Sequence, residues 1–300
     1  MNIAINTDFL TSRLSPEKYL RLISEAGFTH LHWCHQWNTD YFYSSYEIAQ
    51  YKKWLKEYNL KLLDIHGSMG QEKLWYSTEE YQRKSGVLLV LNRILMFDEL
   101  EGSGGLIMHI PVYRTSDTNP AERANTAKRV DSLKRTLDEL TPYLEKYHVK
   151  IAVENARNDS FEIIADLMKS YSPDHLGITL DTGHANIDEA KGLDRMENHL
   201  DRLEVLHLND NDTSGDLHQP PFYGTLDWER IANMIAKSSY AATGRPLSFE
   251  LAMQNTPFMD KNIEATAQPE DQIKAYLADT YTRCAKVIGL YEKALNQSAR

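Results

Sequence analysis

The chain is poor in cysteine, with two in 300 residues, Cys34 and Cys284, far apart and without CxxC spacing. That excludes a disulfide framework and a thiolate metal site, and a reducing cytoplasm is the expected setting. No apolar run approaches the roughly 18 residues of a membrane span, and the opening MNIAINTDFLTSRLSPE has neither a charged start nor an apolar stretch. A mature soluble protein without membrane association is expected. Positive charge is short as well. The formal net charge of −10 argues against a large nucleic-acid interface, because such affinity rests on Lys and Arg neutralising phosphates. The densest basic cluster, Lys128, Arg129, Lys134 and Arg135, is mixed with acids and reads as a solvated helix face. Linkers and low-complexity segments are also missing, which favours one domain over residues 1–300.

What is present is an alternation. Short Val/Ile/Leu-rich runs recur at 2–7, 30–34, 61–66, 105–110, 150–155, 177–182, 204–209 and 247–252, each followed by a segment of helical periodicity. The first helix is expected to use Ser15 as N-cap with Pro16 in its first turn and to close on Gly27; the last is expected over 272–295. Eight strand-then-helix units predict an α/β protein, a (β/α)8 TIM barrel, rather than an open doubly wound sheet. No GxGxxG follows a strand, and the GSGG at 102–105 precedes one.

Side chains alternate faces along a strand, so one parity of a barrel strand packs under the helices and the other points inward. Ile151, Val153, Ile178, Leu180, Leu206, Leu208, Leu247, Phe249 and Leu251 form the outward set. On the inward parity, strands three to eight each end in an ionisable residue: His66, His109, Glu154, Asp181, His207 and Glu250. Catalytic sites of barrels are built at that carboxyl end. A single inward histidine is ordinarily just a hydrogen-bonded core residue; six ionisable groups on the same parity at the same end are not.

Buried carboxylates raise one another's pKa, and desolvation adds to the cost. A divalent cation resolves the conflict, and mixed carboxylate and imidazole ligation suits Mn, Zn, Co or Fe(II). His30, His32 and His35 crowd the second strand without an evident carboxylate partner and are expected to be surface or packing residues. Asn209 and Asp210 either orient His207 or simply end the strand. The aromatic stretch HWCHQWNTDYFYSSY either covers a pocket or packs between loop and helix.

The motifs VEN at 153–155, LDTGHA at 180–185, LHLNDND at 206–212, DLHQPPFYGTLDW at 216–228 and FEL at 249–251 resemble the xylose isomerase-like TIM-barrel superfamily over nearly the whole chain. That group holds sugar isomerases and epimerases together with endonuclease IV enzymes. The resemblance implies one divalent ion (Mn, Zn, Co or Mg) held by Glu154, Asp181, His207 and Glu250. It also implies a small sugar, sugar phosphate or polyol derivative as substrate, with His184 beside it and Glu154 and Glu250 exchanging protons on opposite faces. Isomerisation or epimerisation would then proceed by carboxylate proton transfer through a metal-stabilised enediolate. A dehydratase acting on a cyclic polyol would use the same groups.

The endonuclease IV branch implies an alternative, a multinuclear zinc phosphodiesterase. Its three-zinc site has nine ligands, with counterparts here in His66, His109, Glu154, Asp181, His184, His207, Asp216, His218 and Glu250. Asp216 and His218 also occur in sugar isomerases, where they would contact substrate or hold the residues that do. The glycine-rich N-terminal motif and the basic DNA-binding loops of that branch are absent. Ketose epimerases carry an arginine shortly after the metal histidine, whereas none follows His207 before Arg230, so substrate identity does not carry over. Phe222 and Tyr223 stand where a glycine and an acid are common. Homo-oligomerisation is compatible with the resemblance.

Overall fold

The computed structural model describes residues 1–116, 118–187 and 191–298. Strands β1 (Ile3–Asn6), β2 (His30–Trp33), β3 (Lys61–His66), β4 (Leu106–Met108), β5 (Ile151–Glu154), β6 (Leu176–Asp181), β7 (Leu203–His207) and β8 (Leu247–Phe249) form one parallel sheet in the order β7-β6-β5-β4-β3-β2-β1-β8. Its two edges meet through a bridge between Leu208 and Phe249, with Leu208 N donating to Ser248 O at 3.1 Å and Glu250 N to Leu208 O at 3.2 Å. The sheet is thus a (β/α)8 barrel and the chain a single domain.

The helices are α1 (Glu17–Glu25), α2 (Ser45–Glu57), α3 (Glu80–Glu99), α4 (Pro120–Tyr147), α5 (Glu162–Ser170), α6 (Thr182–Ile187), α7 (Lys191–Met196), α8 (Trp228–Ala236) and α9 (Glu270–Ser298). Helix α1 begins one residue later than its sequence suggests. Pro16 takes the cap position, and Ser15 Oγ accepts from Glu17 N at a long 3.5 Å. Gly27 follows the helix at φ 97°, a left-handed conformation that glycine adopts without steric cost. Lys134 and Arg135 of α4 pair with Asp166 and Glu80, as a solvated face would.

Alternation along the strands sorts the barrel as expected. Ile151, Val153, Ile178, Leu180, Leu206 and Phe249 belong to the main core between sheet and helices, while Ile107, Ala152 and Val205 form a separate buried cluster. These three have the inward parity and fill the barrel interior. Burial of an Ile or Val side chain contributes about 1.5–3 kcal/mol, and the methyl of Ala152 less.

Two strands, β4 and β8, end well before the sequence suggests, and both for side-chain reasons. The segment 105–110 leaves the ladder after Met108, where the His109 carbonyl accepts instead from Trp75 Nε1 at 2.9 Å. After Phe249, Leu251 pairs with the Asn6 amide through N to Oδ1 at 2.8 Å and Nδ2 to O at 3.0 Å. Among the described residues no helix is long and apolar enough to cross a membrane. Cys34 and Cys284 are both free and buried.

Candidate metal centre

His66, Glu154, Asp181 and His207 are the last residues of β3, β5, β6 and β7; His109 and Glu250 come one residue after β4 and β8. The barrel therefore delivers all six to one rim. Glu154, Asp181, His207 and Glu250 present ligand atoms that all lie within 4.8 Å of one another, and all four are buried. His207 Nδ1 stands 3.3 Å from Glu154 Oε1 and 3.2 Å from Glu250 Oε2.

Two further groups flank this one. His66, His109 and Glu154 cluster on one side, with His109 Nε2 3.1 Å from Glu154 Oε2. On the other side Asp181 gathers with His184 and His218. Asp216 spans that pair, with Oδ2 3.1 Å from His184 Nε2 and Oδ1 3.0 Å from His218 Nε2. Every site residue expected from the sequence is brought to this rim.

Local packing fixes the orientations. Asp181 Oδ1 accepts from the backbone N of His184 at 2.7 Å, and Oδ2 accepts from Asn209 Nδ2 at 3.0 Å. Asn155, in VEN, donates to Asp181 O and accepts from Asp181 N, locking β5 to β6. The glycine of LDTGHA allows close approach, because a Cβ on Gly183 would lie 1.9 Å from Asn209 Oδ1. His184 Nδ1 donates to Asn155 O at 2.9 Å, which aims Nε2 at the pocket side.

Asp210 neither orients His207 nor merely ends the strand. Its buried carboxylate accepts from Asn211 N, Phe222 N, Leu226 N and Trp228 Nε1 at 2.9–3.2 Å, while its backbone pairs with Gln219 in both directions. This folds the 210–228 loop back over the rim and returns Asp216 and His218 to the centre. Phe222, where the family commonly has glycine, keeps a left-handed φ of 68°.

The electrostatics follow from burial. Burial pushes Glu154 up, but His207 and His109 outweigh it and hold the carboxyl well below its usual range. Glu250 is likewise pushed up by burial and drawn down further by His207 and His218. Asp181 shows the reverse balance, raised to about 6 by burial with Glu154 and Glu250 nearby, despite His184. His66 is pushed down to about 3 by burial and by His109. It is thus a neutral ring whose Nδ1 donates to Gly67 O at 2.9 Å.

The donor set fits a divalent ion. Among the described residues neither ring nitrogen of His207 completes a hydrogen bond, although Nδ1 faces two carboxylates, and no buried Lys or Arg stands beside the three carboxylates. Unpaired buried nitrogen and clustered carboxylate are each costly without a cation.

A cavity of about 370 Å³ opens over the rim, lined by His109, Glu154 and His184 together with Met69, Tyr76 and Arg129. Trp37 supplies cover, its ring 4.4 Å from His66 and 5.4 Å from His109, with Nε1 donating to Asp8 Oδ2 at 3.1 Å. Of the other aromatics in the segment, Trp33 and Tyr43 pack, Tyr43 against Tyr51 with Asn92 and Arg93 of α3 bonding the backbone at Tyr43 and Tyr41, whereas Phe42 and Tyr46 are exposed.

One expectation is corrected. His32 is fully buried and does have a carboxylate partner, Asp64, at 2.5 Å. His30 and His35 are packing residues, bonded to Thr29 Oγ1 and to Leu14 O and the Tyr43 hydroxyl. The signal for His32 was its inward parity in HLHW; its partner lies on the next strand.

Residues 20–278 match the family model for the xylose isomerase-like TIM barrel. The chain belongs to that family. A relative, the uncharacterized protein y4fM of Sinorhizobium fredii, is 33% identical over 258 residues, covering 78% of this chain and 80% of its own. A D-psicose 3-epimerase of Enterocloster bolteae is 24% identical over 227 residues, covering 75% of this chain and 73% of its own. The crystal structure of a D-tagatose 3-epimerase-like protein superposes with a TM-score of 0.67 at 19% identity, covering 100% of both chains. At that identity the superposition carries the fold.

Proposed function

We propose that this protein is a divalent-metal-dependent isomerase or epimerase of a small sugar or sugar derivative. The observation that carries the reading is the convergence of two buried carboxylates, Glu154 and Glu250, on the single atom His207 Nδ1, at 3.3 and 3.2 Å. Membership of the family and the likeness to a D-psicose 3-epimerase support it.

Glu154, Asp181, His207 and Glu250 would hold the ion. A bound divalent ion supplies Lewis acidity, stabilising the negative charge that develops when a carbon beside a carbonyl loses its proton. The chain's own residues then move protons. Glu154 and Glu250 are both held below the usual carboxylate range, so each is ionised and able to accept a proton at neutral pH. Burial and the Trp37 cover keep water from competing for it. His184 lines the substrate side, tied through Asp216 to His218, and the Asp216 carboxylate between the two rings can accept from substrate hydroxyls.

The test is exchange of substrate protons with deuterated solvent, read by NMR across a panel of ketoses, aldoses and their phosphates with Mn, Co or Mg added. Glu154→Gln and Glu250→Gln should each abolish exchange and turnover while keeping the fold. Full turnover in both variants sinks the mechanism.

A second reading, a multinuclear zinc phosphodiesterase, is favoured by the two flanking groups, His66/His109/Glu154 and Asp181/His184/His218. About three zinc ions per chain on elemental analysis, with hydrolysis of a phosphodiester, would replace the first reading. The net charge of −10 weighs against DNA as the substrate, and a steep salt dependence of DNA binding is its check.

A further inference from the structure

His32 is the buried group that the chemistry above leaves without a task. It sits in β2 level with Asp64 of β3, two residues deeper in the barrel than His66. Its Nδ1 is 2.5 Å from Asp64 Oδ1, and both side chains are buried. An ionised carboxylate only accepts hydrogen bonds, so this contact places the ring proton on Nδ1 and leaves a lone pair on Nε2. That Nε2 is buried and has no hydrogen-bond partner.

An imidazole with one nitrogen on a carboxylate and an unshared lone pair on the other is how metal-bound histidines are held. The lone pair has company. One ligand atom from each of His32, His207 and Glu250 lies within 4.8 Å of the others, a grouping that adds His32 to two residues of the four-residue centre. The His32 and His207 rings are 4.3 Å apart between centroids and tilted by 57°. An in-line N–H···N bond between ring edges would separate the centroids by about 5 Å, so the two rings lie in closer contact than such a bond allows and Nε2 of His32 is not spent on His207.

We propose that His32, His207 and Glu250 form a second cation position on the barrel floor beneath the central group, with Asp64 orienting His32. Two imidazole nitrogens and one carboxylate oxygen are a zinc- or cobalt-type donor set. Asp64, Glu154, Asp181 and Glu250 are all buried, a concentration of carboxylate that a cation beside it relieves. Filling both positions would take one Glu250 oxygen and one His207 nitrogen for each, and would cost the His207 ring its N–H proton. The position shares two ligands with the centre under the proposed function but does not depend on which reaction that centre performs.

The full-length chain, stripped with chelator, is titrated with Co(II) alone and read by d–d absorbance and by elemental analysis after desalting. Wild type should take up one equivalent more than His32→Asn and show an absorbance component that the variant lacks. Asp64→Asn keeps the ring but loses its orienting carboxylate, and should bind that equivalent about 10–100-fold more weakly. Equal uptake and superimposable spectra in wild type and folded His32→Asn overturn the proposal. Should His32→Asn fail to fold, an unchanged affinity in Asp64→Asn overturns it. Wild type that binds no Co(II) overturns this proposal and the metal-dependent reading together; uptake that is indifferent to His32 overturns this one alone.

Discussion

Asn209 Nδ2 donates to Asp181 Oδ2 across 3.0 Å, with both residues fully buried. Asn209 is itself pinned at the backbone by the Thr182 hydroxyl, which accepts from Asn209 N at 2.9 Å and donates to Asn209 O at 2.7 Å. The strand end after His207 thus aims a carboxylate on the neighbouring strand. Asn209→Ala should lower divalent-ion affinity about 10–100-fold with little loss of fold. Competitive titration of the stripped protein measures this, and an unchanged affinity would reduce Asn209 to a strand terminator.

Asp210 carries a different load. Four N–H groups converge on its carboxylate, and truncation leaves them buried without an acceptor. Hydrogen bonds to a charged acceptor contribute about 1.5–3 kcal/mol each, with strong coupling among neighbours. Asp210→Ala should therefore destabilise the fold by at least about 3 kcal/mol in urea unfolding. It should also expose the 210–228 loop to protease ahead of the barrel. A loss below about 1 kcal/mol would show that the loop stands on other contacts.

Asp159 offers a pH test away from the centre. Burial raises its carboxyl from 3.8 to about 6, although Phe161 N and Ala156 N donate to it. The folded pKa exceeds the unfolded one, so the native state favours the proton. The associated stability is fully present below about pH 4 and is lost as pH rises through about 6. Asp159→Asn does not titrate. Its stability relative to wild type should improve between pH 4 and pH 7, by up to about 2–3 kcal/mol. Thermal melts at both pH values decide, and a pH-independent difference contradicts the assignment.

Metal removal should also register in stability. With no cation, Glu154, Asp181 and Glu250 crowd one buried space. Ligand at 100 times its Kd stabilises a fold by about 2.7 kcal/mol, so chelation should lower Tm by several degrees and Mn, Co or Zn should restore it. Affinity should rise with pH, because binding expels protons. Burial lowers His207, but Glu250 and Glu154 hold it well above the usual imidazole range, so the metal-free ring is charged at neutral pH. A Tm unaffected by chelator at neutral pH would speak against a bound ion.

The sequence by itself determined the barrel and the contents of its rim. Strand alternation is local: the two-residue period states which side chains point inward, and from it His66, His109, Glu154, Asp181, His207 and Glu250 were legible as one set. The family motifs added His184, Asp216 and His218. What only the tertiary structure decided was partnership. The register between β2 and β3 shifts between Leu31 and His32, which sets His32 opposite Asp64. Period-two reasoning cannot see that irregularity, so His32 read as a packing residue. Asp210 was ambiguous for a related reason: its donors lie up to 18 residues further along the chain and meet only once the loop has folded. Strand ends 109–110 and 250–252 were misjudged because Trp75 and Asn6 take over backbone groups that a ladder would otherwise use. Face is written in the chain's own repeat, whereas pairing depends on how separate segments are brought together in space.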